Sequence, residues 1–260
     1  MKYASNKTIK VALLLLFSLA FSAINAYSQG FDWQYSYRTP SESPRFFGGI
    51  ALGYDFANYT ADVNFSETEI PCCRFRDGDG KQFNIAISAE YWLSGGDNAL
   101  NFSLGYSKNS GTFSANPDPV FYLQDTLRTK LESEVDISYL QLRLGGKHRI
   151  RRSHCWVGAN VSADINLSGS FKNSESVTTP NHAFNDGSIK REINDGHLPN
   201  LAKFILSPEI AIGYDVNLGL GLYASPRFSI AYNLNSLVQD DSWHSIKFGL
   251  GICVYRGIML

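Results

Sequence analysis

Residues 245–255 read SIKFGLGICVY. Ile246, Phe248, Leu250, Ile252 and Val254 occupy one set of alternate positions, and Lys247, Gly249, Gly251, Cys253 and Tyr255 the other. Alternate side chains of an extended chain point to opposite sides, so this is a strand with one continuous apolar face. A strand of a soluble sheet lays its apolar face on a core and lines the other with Lys, Glu and Thr. A strand of a membrane barrel turns its apolar face to lipid and a small, polar face to a crowded lumen. The stretch fits the second description.

Seven further segments repeat the pattern, over residues 46–56, 83–93, 100–106, 136–146, 155–167, 204–216 and 220–232. The faces opposite the apolar ones are of lumen type, as in Asn84, Ala86, Ser88 and Glu90, or Gly158, Asn160, Ser162 and Asp164. In the fourth segment Leu140, Leu142 and Leu144 give way upstream to Val135, Ile137 and Tyr139, a change of parity that a bulge or an extension above the membrane explains. Pro208 and Pro226 interrupt the sixth and seventh segments, where prolines belong at edges or bulges. The connections alternate in length: 57–82, 107–134, 168–203 and 233–244 are long, whereas 94–99, 147–154 and 217–219 are short. Short periplasmic turns and long external loops are the habit of outer-membrane barrels. The expectation is an all-β, eight-stranded antiparallel up-and-down transmembrane barrel over residues 44–260. A β-sandwich or a soluble calycin-type barrel is the competing reading, and it would carry oil inside and charge outside.

The start of the chain agrees with export. Lys2, Lys7 and Lys10 precede an apolar run from Val11 to Ala23, and small residues at Ala26 and Ser28 form a cleavage site, so residues 1–28 read as a signal peptide, with a cut after Ala26 as the alternative. Residues 29–43 read as a periplasmic lead-in. Removing three of the 23 basic residues leaves 20 against 24 acidic ones, a balance that offers nothing to nucleic acid. After residue 30 no run approaches the roughly 18 apolar residues of a membrane-spanning helix.

FFGGIALGYDF, IPCCRFRDGDGK, AEYWL, NFSLGYSKNSGTFSA, DISYLQLRLGGKHRI, FNDGSIKREINDGHLP, LSPEIAIGYDV and WHSIKFGLGICV together resemble the outer-membrane β-barrels of the Bacteroidetes and Chlorobi lineage, the PorT-like or OmpA-like small barrels of the porin family. The resemblance covers residues 44–260 and implies residence in the cell outer membrane. Some members continue into a peptidoglycan-binding domain, which a chain stopping at Leu260 does not imply. Members commonly end on an aromatic residue; here RGIML follows Tyr255.

Candidate sites are few. The vicinal Cys72 and Cys73 lie in the first long loop and are able to form a strained disulfide, whereas Cys155 and Cys253 have opposite parity and read as packing residues. Asp77-Gly78-Asp79-Gly80-Lys81, Asp186-Gly187 and Asp195-Gly196 read as turns, because a calcium loop needs further acidic ligands. Asp195 with His197, and Asp240 with Asp241, are the parts for activating a water, but both sets fall in loops. Lys147, His148, Arg149, Arg151, Arg152 and His154 read as a solvated periplasmic turn. Tyr54, Tyr91, Trp92, Tyr106, Trp156, Tyr214, Tyr232 and Trp243 read as an aromatic girdle. Inward positions place Asp55, Glu90, Asp164, Glu209 and Asp215 against Arg143, Arg227 and Lys247. A three-residue hairpin at 217–219 pairs Val216 with Leu220 and sets Glu209 opposite Arg227. The expected role is structural or surface-interacting, with a lumen plugged by side chains. A small passive porin is the alternative, and a protease or lipid-modifying enzyme a further one. The expected partners are outer-membrane lipids and the barrel-assembly machinery; no cofactor or metal is expected, and the loop partner is unknown.

Overall fold

The computed structural model describes residues 45–64, 74–93, 96–117, 120–122, 125–150, 153–180, 182–219, 221–239 and 241–258. The expected signal peptide and lead-in, and Cys72 and Cys73, lie outside these residues. Twelve strands follow: β1 (Phe46–Val63), β2 (Phe75–Trp92), β3 (Asn98–Ala115), β4 (Val120–Tyr122), β5 (Asp125–Leu127), β6 (Thr129–Arg149), β7 (Cys155–Val177), β8 (Lys190–His197), β9 (Phe204–Tyr214), β10 (Val216–Gly219), β11 (Leu222–Tyr232) and β12 (Ser242–Ile258). Antiparallel ladders join β1, β2, β3, β6, β7, β9, β11 and β12 in that order, and β12 returns to β1. This is a closed ring of eight staves. Closure leaves no unpaired edge within the bilayer, which is what lipid demands of a sheet.

Each segment marked by alternation has its own stave, the sixth running on past the end of β9 into β10. The outward positions form an apolar belt: Ile87 is 63% and Ile210 69% exposed, which suits lipid and not water. On β12 the belt runs from Ile246 to Val254, a height of about 20 Å at ordinary strand rise and tilt.

Above the belt the two faces exchange chemistry, on β1 and β6 without exchanging parity. On β1 the outward series Ile50, Leu52, Tyr54 and Phe56 continues as Asn58, Thr60 and Asp62, while Ala57, Tyr59, Ala61 and Val63 point inward and are buried. On β6, Val135, Ile137 and Tyr139 share the inward face with Gln141 and Arg143. The extension explains what sequence alone showed as a parity shift; the accompanying bulge lies across on β7, where Tyr139 faces Asn166 and Ser138 faces Ser168. Much of the expected long loops is therefore strand, an extracellular ribbon with a soluble-type core. Within it Tyr59 stacks on Phe113 at 5.3 Å and meets Trp243 edge-on at 5.5 Å. Burial pushes the Tyr59 hydroxyl well above its ordinary range, so it stays a donor, here to Asn109 at 2.7 Å. Trp243, expected in the girdle, is fully buried in this core.

The prolines bracket a short ladder. Glu209–Gly213 of β9 pairs with Arg227–Ala231 of β11, and Pro208 and Pro226 fall just outside its ends, where no ladder N–H is required. The hairpin below differs from expectation. Gly219 and Gly221 both take the left-handed conformation, at φ 84° and 73°, and Val216 pairs with Ala224, not Leu220. Glu209 therefore stands opposite Ala231, and Arg227 opposite Gly213. The four-residue slip is even, so both side chains keep their inward face.

The exchange of faces sets the depth of the barrel. With Cys72 and Cys73 changed to Ser, Thr60→Cys and Thr112→Cys on intact cells should react with a membrane-impermeant maleimide, and Leu52→Cys and Leu104→Cys should not. Equal labelling of the two sets would contradict the belt.

Candidate functional site

The inward face of the membrane-spanning staves is thin or polar, with Gly49, Gly53, Gly105, Gly145, Gly249 and Gly251 leaving room for a few long charged side chains. All the expected lumen residues point inward. In the middle of the lumen, Arg143 pairs with Glu209 at 3.2 Å, and Asn160 donates to the other Glu209 oxygen at 2.9 Å. Lys247 approaches Asp164 at 3.6 Å, Gln141 donates to Asp164 at 2.9 Å, and Asn84 to Asp55 at 3.1 Å. The volume left among Asp55, Gln82, Arg143, Glu209 and Lys247 is about 10 Å³, room for one water at most. Arg227 lies between glycines of both neighbouring strands, Gly213 and Gly251.

A second tier closes the periplasmic end, and here the structure corrects the sequence reading. Lys147 and Arg149, expected in a solvated basic turn, are only 2% and 6% exposed. Lys147 Nζ bridges Glu90 at 3.2 Å and Asp215 at 2.9 Å, and Arg149 reaches the second Asp215 oxygen at 3.4 Å. Tyr223 donates its hydroxyl to Glu90, and Ser225 donates to Asp215 at 2.8 Å. Trp92 and Trp156, expected in the lipid-facing girdle, turn inward and box the same ammonium. Lys147 Nζ lies 4.8 Å from the Trp156 ring, 5.2 Å from Trp92 and 5.5 Å from Tyr223. Each such contact adds about 2 kcal/mol once desolvated. Glu90 thus belongs to this tier and not to the middle one.

The charges of the lumen now balance. Asp55, Glu90, Asp164, Glu209 and Asp215 face Arg143, Lys147, Arg149, Arg227 and Lys247, five against five among the described residues. The sequence reading, which left Lys147 and Arg149 outside, was two cations short. The signal that would have found them is parity: Arg143, Gly145, Lys147 and Arg149 are successive inward positions of one strand.

The other candidates separate. Asp77, Asp79 and Lys81 stand on β2, and Asp195 and Gly196 on β8, so neither stretch is the expected turn; Asp186–Gly187 is one, with Gly187 at φ 79°. Asp195 and His197 stand on β8, whereas Asp241 is held by Arg74 at 2.7 Å. Asp240 and the basic residues Arg151 and Arg152 lie outside the described residues, and His148 bonds Asn98 at 2.8 Å. Cys155 and Cys253 are free thiols.

No protein-family model and no curated protein sequence matches the chain. Among solved structures it is similar to Ail, the attachment invasion locus protein of Yersinia pestis, in complex with the heparin analogue sucrose octasulfate, at 11% identity over 81% of this chain and 99% of that one, with a TM-score of 0.29. Neisserial surface protein A matches at 14% identity over 80% of this chain and 96% of that one, TM-score 0.30. The outer membrane protease OmpT of Escherichia coli matches at 10% identity over 85% and 99%, TM-score 0.36. The architecture itself rests on the closed ring and its outward belt, which make this chain an eight-stranded barrel of the outer membrane.

Replacing Lys147 leaves the buried Glu90 without a cation and Asp215 with Arg149 alone. Lys147→Met should lower stability to urea, for the barrel refolded in lipid vesicles, by about 3–5 kcal/mol. Lys108→Met, which removes an exposed partner of Asp136, should change it by about 1 kcal/mol or less.

Proposed function

We propose that this protein is a closed outer-membrane barrel that anchors and displays an extracellular ribbon for contact with partners at the cell surface. The observation that carries this reading is the balanced lumen, with its middle tier filled and its periplasmic end stopped by Lys147 among three aromatic rings. An eight-stranded ring is just wide enough for side chains to fill it. Above the charges, the Tyr59, Phe113 and Trp243 cluster fills the extracellular mouth with apolar side chains, so a solute meets two dissimilar barriers in series. A passive porin needs a continuous polar path, which neither barrier supports.

The role proposed is not enzymatic. A water-activating site needs its acid and base held together, and Asp195 with His197 stands on a different element from Asp241, which Arg74 already engages. Lipids of the outer membrane and the machinery that inserts barrels are the partners every such protein meets. The motifs of the chain favour the PorT-like barrels of the Bacteroidetes and Chlorobi lineage as its kin.

The refolded wild-type protein should give no steady ohmic conductance in planar bilayers. Replacing Glu90, Lys147, Arg149 and Asp215 together with Ser should leave it closed still, because the apolar mouth remains. Steady channels from the wild type would overturn the reading in favour of the porin.

A further inference from the structure

The outer surface of the ribbon is dented. Inside it the Tyr59 ring lies against Gly80 and Gly111, where any side chain would collide with it. The backbone therefore comes in close around the ring, and outside the same wall lies an open trough of about 1020 Å³. The ladders lay out its two banks. One row of outward side chains runs from Phe56 through Lys81, Ser110, Asp136 and Ser170 to His197. The next runs from Asn58 through Asp79, Thr112, Glu134 and Lys172 to Asp195. Six strands at ordinary spacing make the trough about 24 Å long, and alternate residues along a strand make it about 7 Å wide. It is shaped for an extended polymer.

Its chemistry narrows the polymer. The banks present carboxylates, hydroxyls, an amide, two ammonium groups and an imidazole, and Phe56 at one end supplies the one apolar ring on them. Apart from the outer edge of β8, which no ladder covers among the described residues, the sheet N–H and C=O groups here are spent in the ladders, so a peptide laid across this face meets side chains only. Hydroxyl groups, which donate and accept, match such a lining. Asp136 is engaged by Lys108 at 3.5 Å, and Lys172 by Glu192 at 2.5 Å. Asp79, Glu134 and Asp195 make no ion pair among the described residues, which leaves the trough with an excess of acceptors. Sulfated or phosphorylated chains are repelled; neutral or amino-bearing ones are favoured. Its position names the source. Phe56 is the last lipid-facing residue of β1, so the trough opens at the rim of the belt and climbs from there, at the depth of outer-leaflet headgroups.

We propose that this trough holds the oligosaccharide head of a neutral or amino-bearing glycolipid in the surrounding outer leaflet. The proposal deepens the surface-contact reading by naming a partner, and it is tested by lipid retention, so it stands or fails separately from the conductance measurement.

The full mature chain, reconstituted in nanodiscs, is offered three probes at equal mole fraction: a ceramide bearing a neutral tetrasaccharide, a ceramide bearing a sulfated sugar, and phosphatidylcholine. Native mass spectrometry then counts the lipid retained. Wild type should hold the neutral glycolipid at least tenfold over the other two. The triple variant Asp79→Asn, Glu134→Gln, Asp195→Asn should lose that preference, as should Ser110→Trp, which fills the trough sterically. Asp62→Asn, above the trough, should keep it. Heat-modifiable gel migration establishes that each variant has assembled. Equal retention of all three lipids by wild type, preference for the sulfated head, or unchanged retention by both assembled trough variants would overturn the proposal. So would binding of the free tetrasaccharide as tight as that of its lipid, which would remove the leaflet as its source.

Discussion

Ten charged side chains, five of each sign, are enclosed by eight strands, and the rest of the molecule follows from the need to balance them. A charge buried without a partner costs several kcal/mol, and a lumen of this width has no bulk water to share the load. Four of the five cations find a carboxylate within reach on another strand: Arg143 on β6 meets Glu209 on β9, Lys147 on β6 meets Glu90 on β2 and Asp215 beside β10, Arg149 reaches Asp215, and Lys247 on β12 approaches Asp164 on β7. The pairs therefore tie strands that are not neighbours in the ring, reaching over the staves between them. Glycines on the inward face are the complement of those long side chains, since a bulky residue at Gly249 would collide with Asp55. The outward face, relieved of any polar duty, is free to be apolar throughout.

The second organising feature is the exchange of faces between Phe56 and Ala57. Below it the barrel is polar inside and oily outside; above it the same staves are oily inside and polar outside. On β1 and β6 this takes no change of pleat, whereas β7 reaches it through its bulge and β8 joins the upper half as an added strand. The exchange holds the barrel at one depth, because sliding by two residues would put Asn58 in lipid or Phe56 in water. It also gives the extracellular ribbon a conventional core, with Tyr59, Phe113 and Trp243 in mutual contact, so that the displayed surface is rigid where it leaves the membrane.

The staves were legible in the sequence because alternation is a direct consequence of the pleat, and the lumen carboxylates were legible because they interrupt it in phase. What was missed had specific causes. Lys147 and Arg149 sit among His148, Arg151 and Arg152, and the basic composition of that turn masked their parity with Arg143. Trp92 and Trp156 stand near strand ends, where tryptophan faces lipid as readily as it faces inward; only the buried ammonium beside them decides. The pairing of β9 with β11 was misjudged by four residues because two registers that differ by an even number satisfy the same alternation. The upper strands read as loops because their apolar residues point inward, opposite to the pattern that identifies a membrane strand. The trough had no linear signature, for its banks draw one residue from each of six strands.

The lumen is held by charges that act as pairs and not as independent polar filling. Arg143 and Glu209 test this most directly, by exchange. Arg143→Glu and Glu209→Arg alone should each lower stability to urea in lipid vesicles by about 3–5 kcal/mol, since each places like charges together in a dry interior. The double exchange should recover most of that loss, a coupling well above the roughly 0.5 kcal/mol of sites that act independently. Losses that simply add would contradict a lumen held by paired charge.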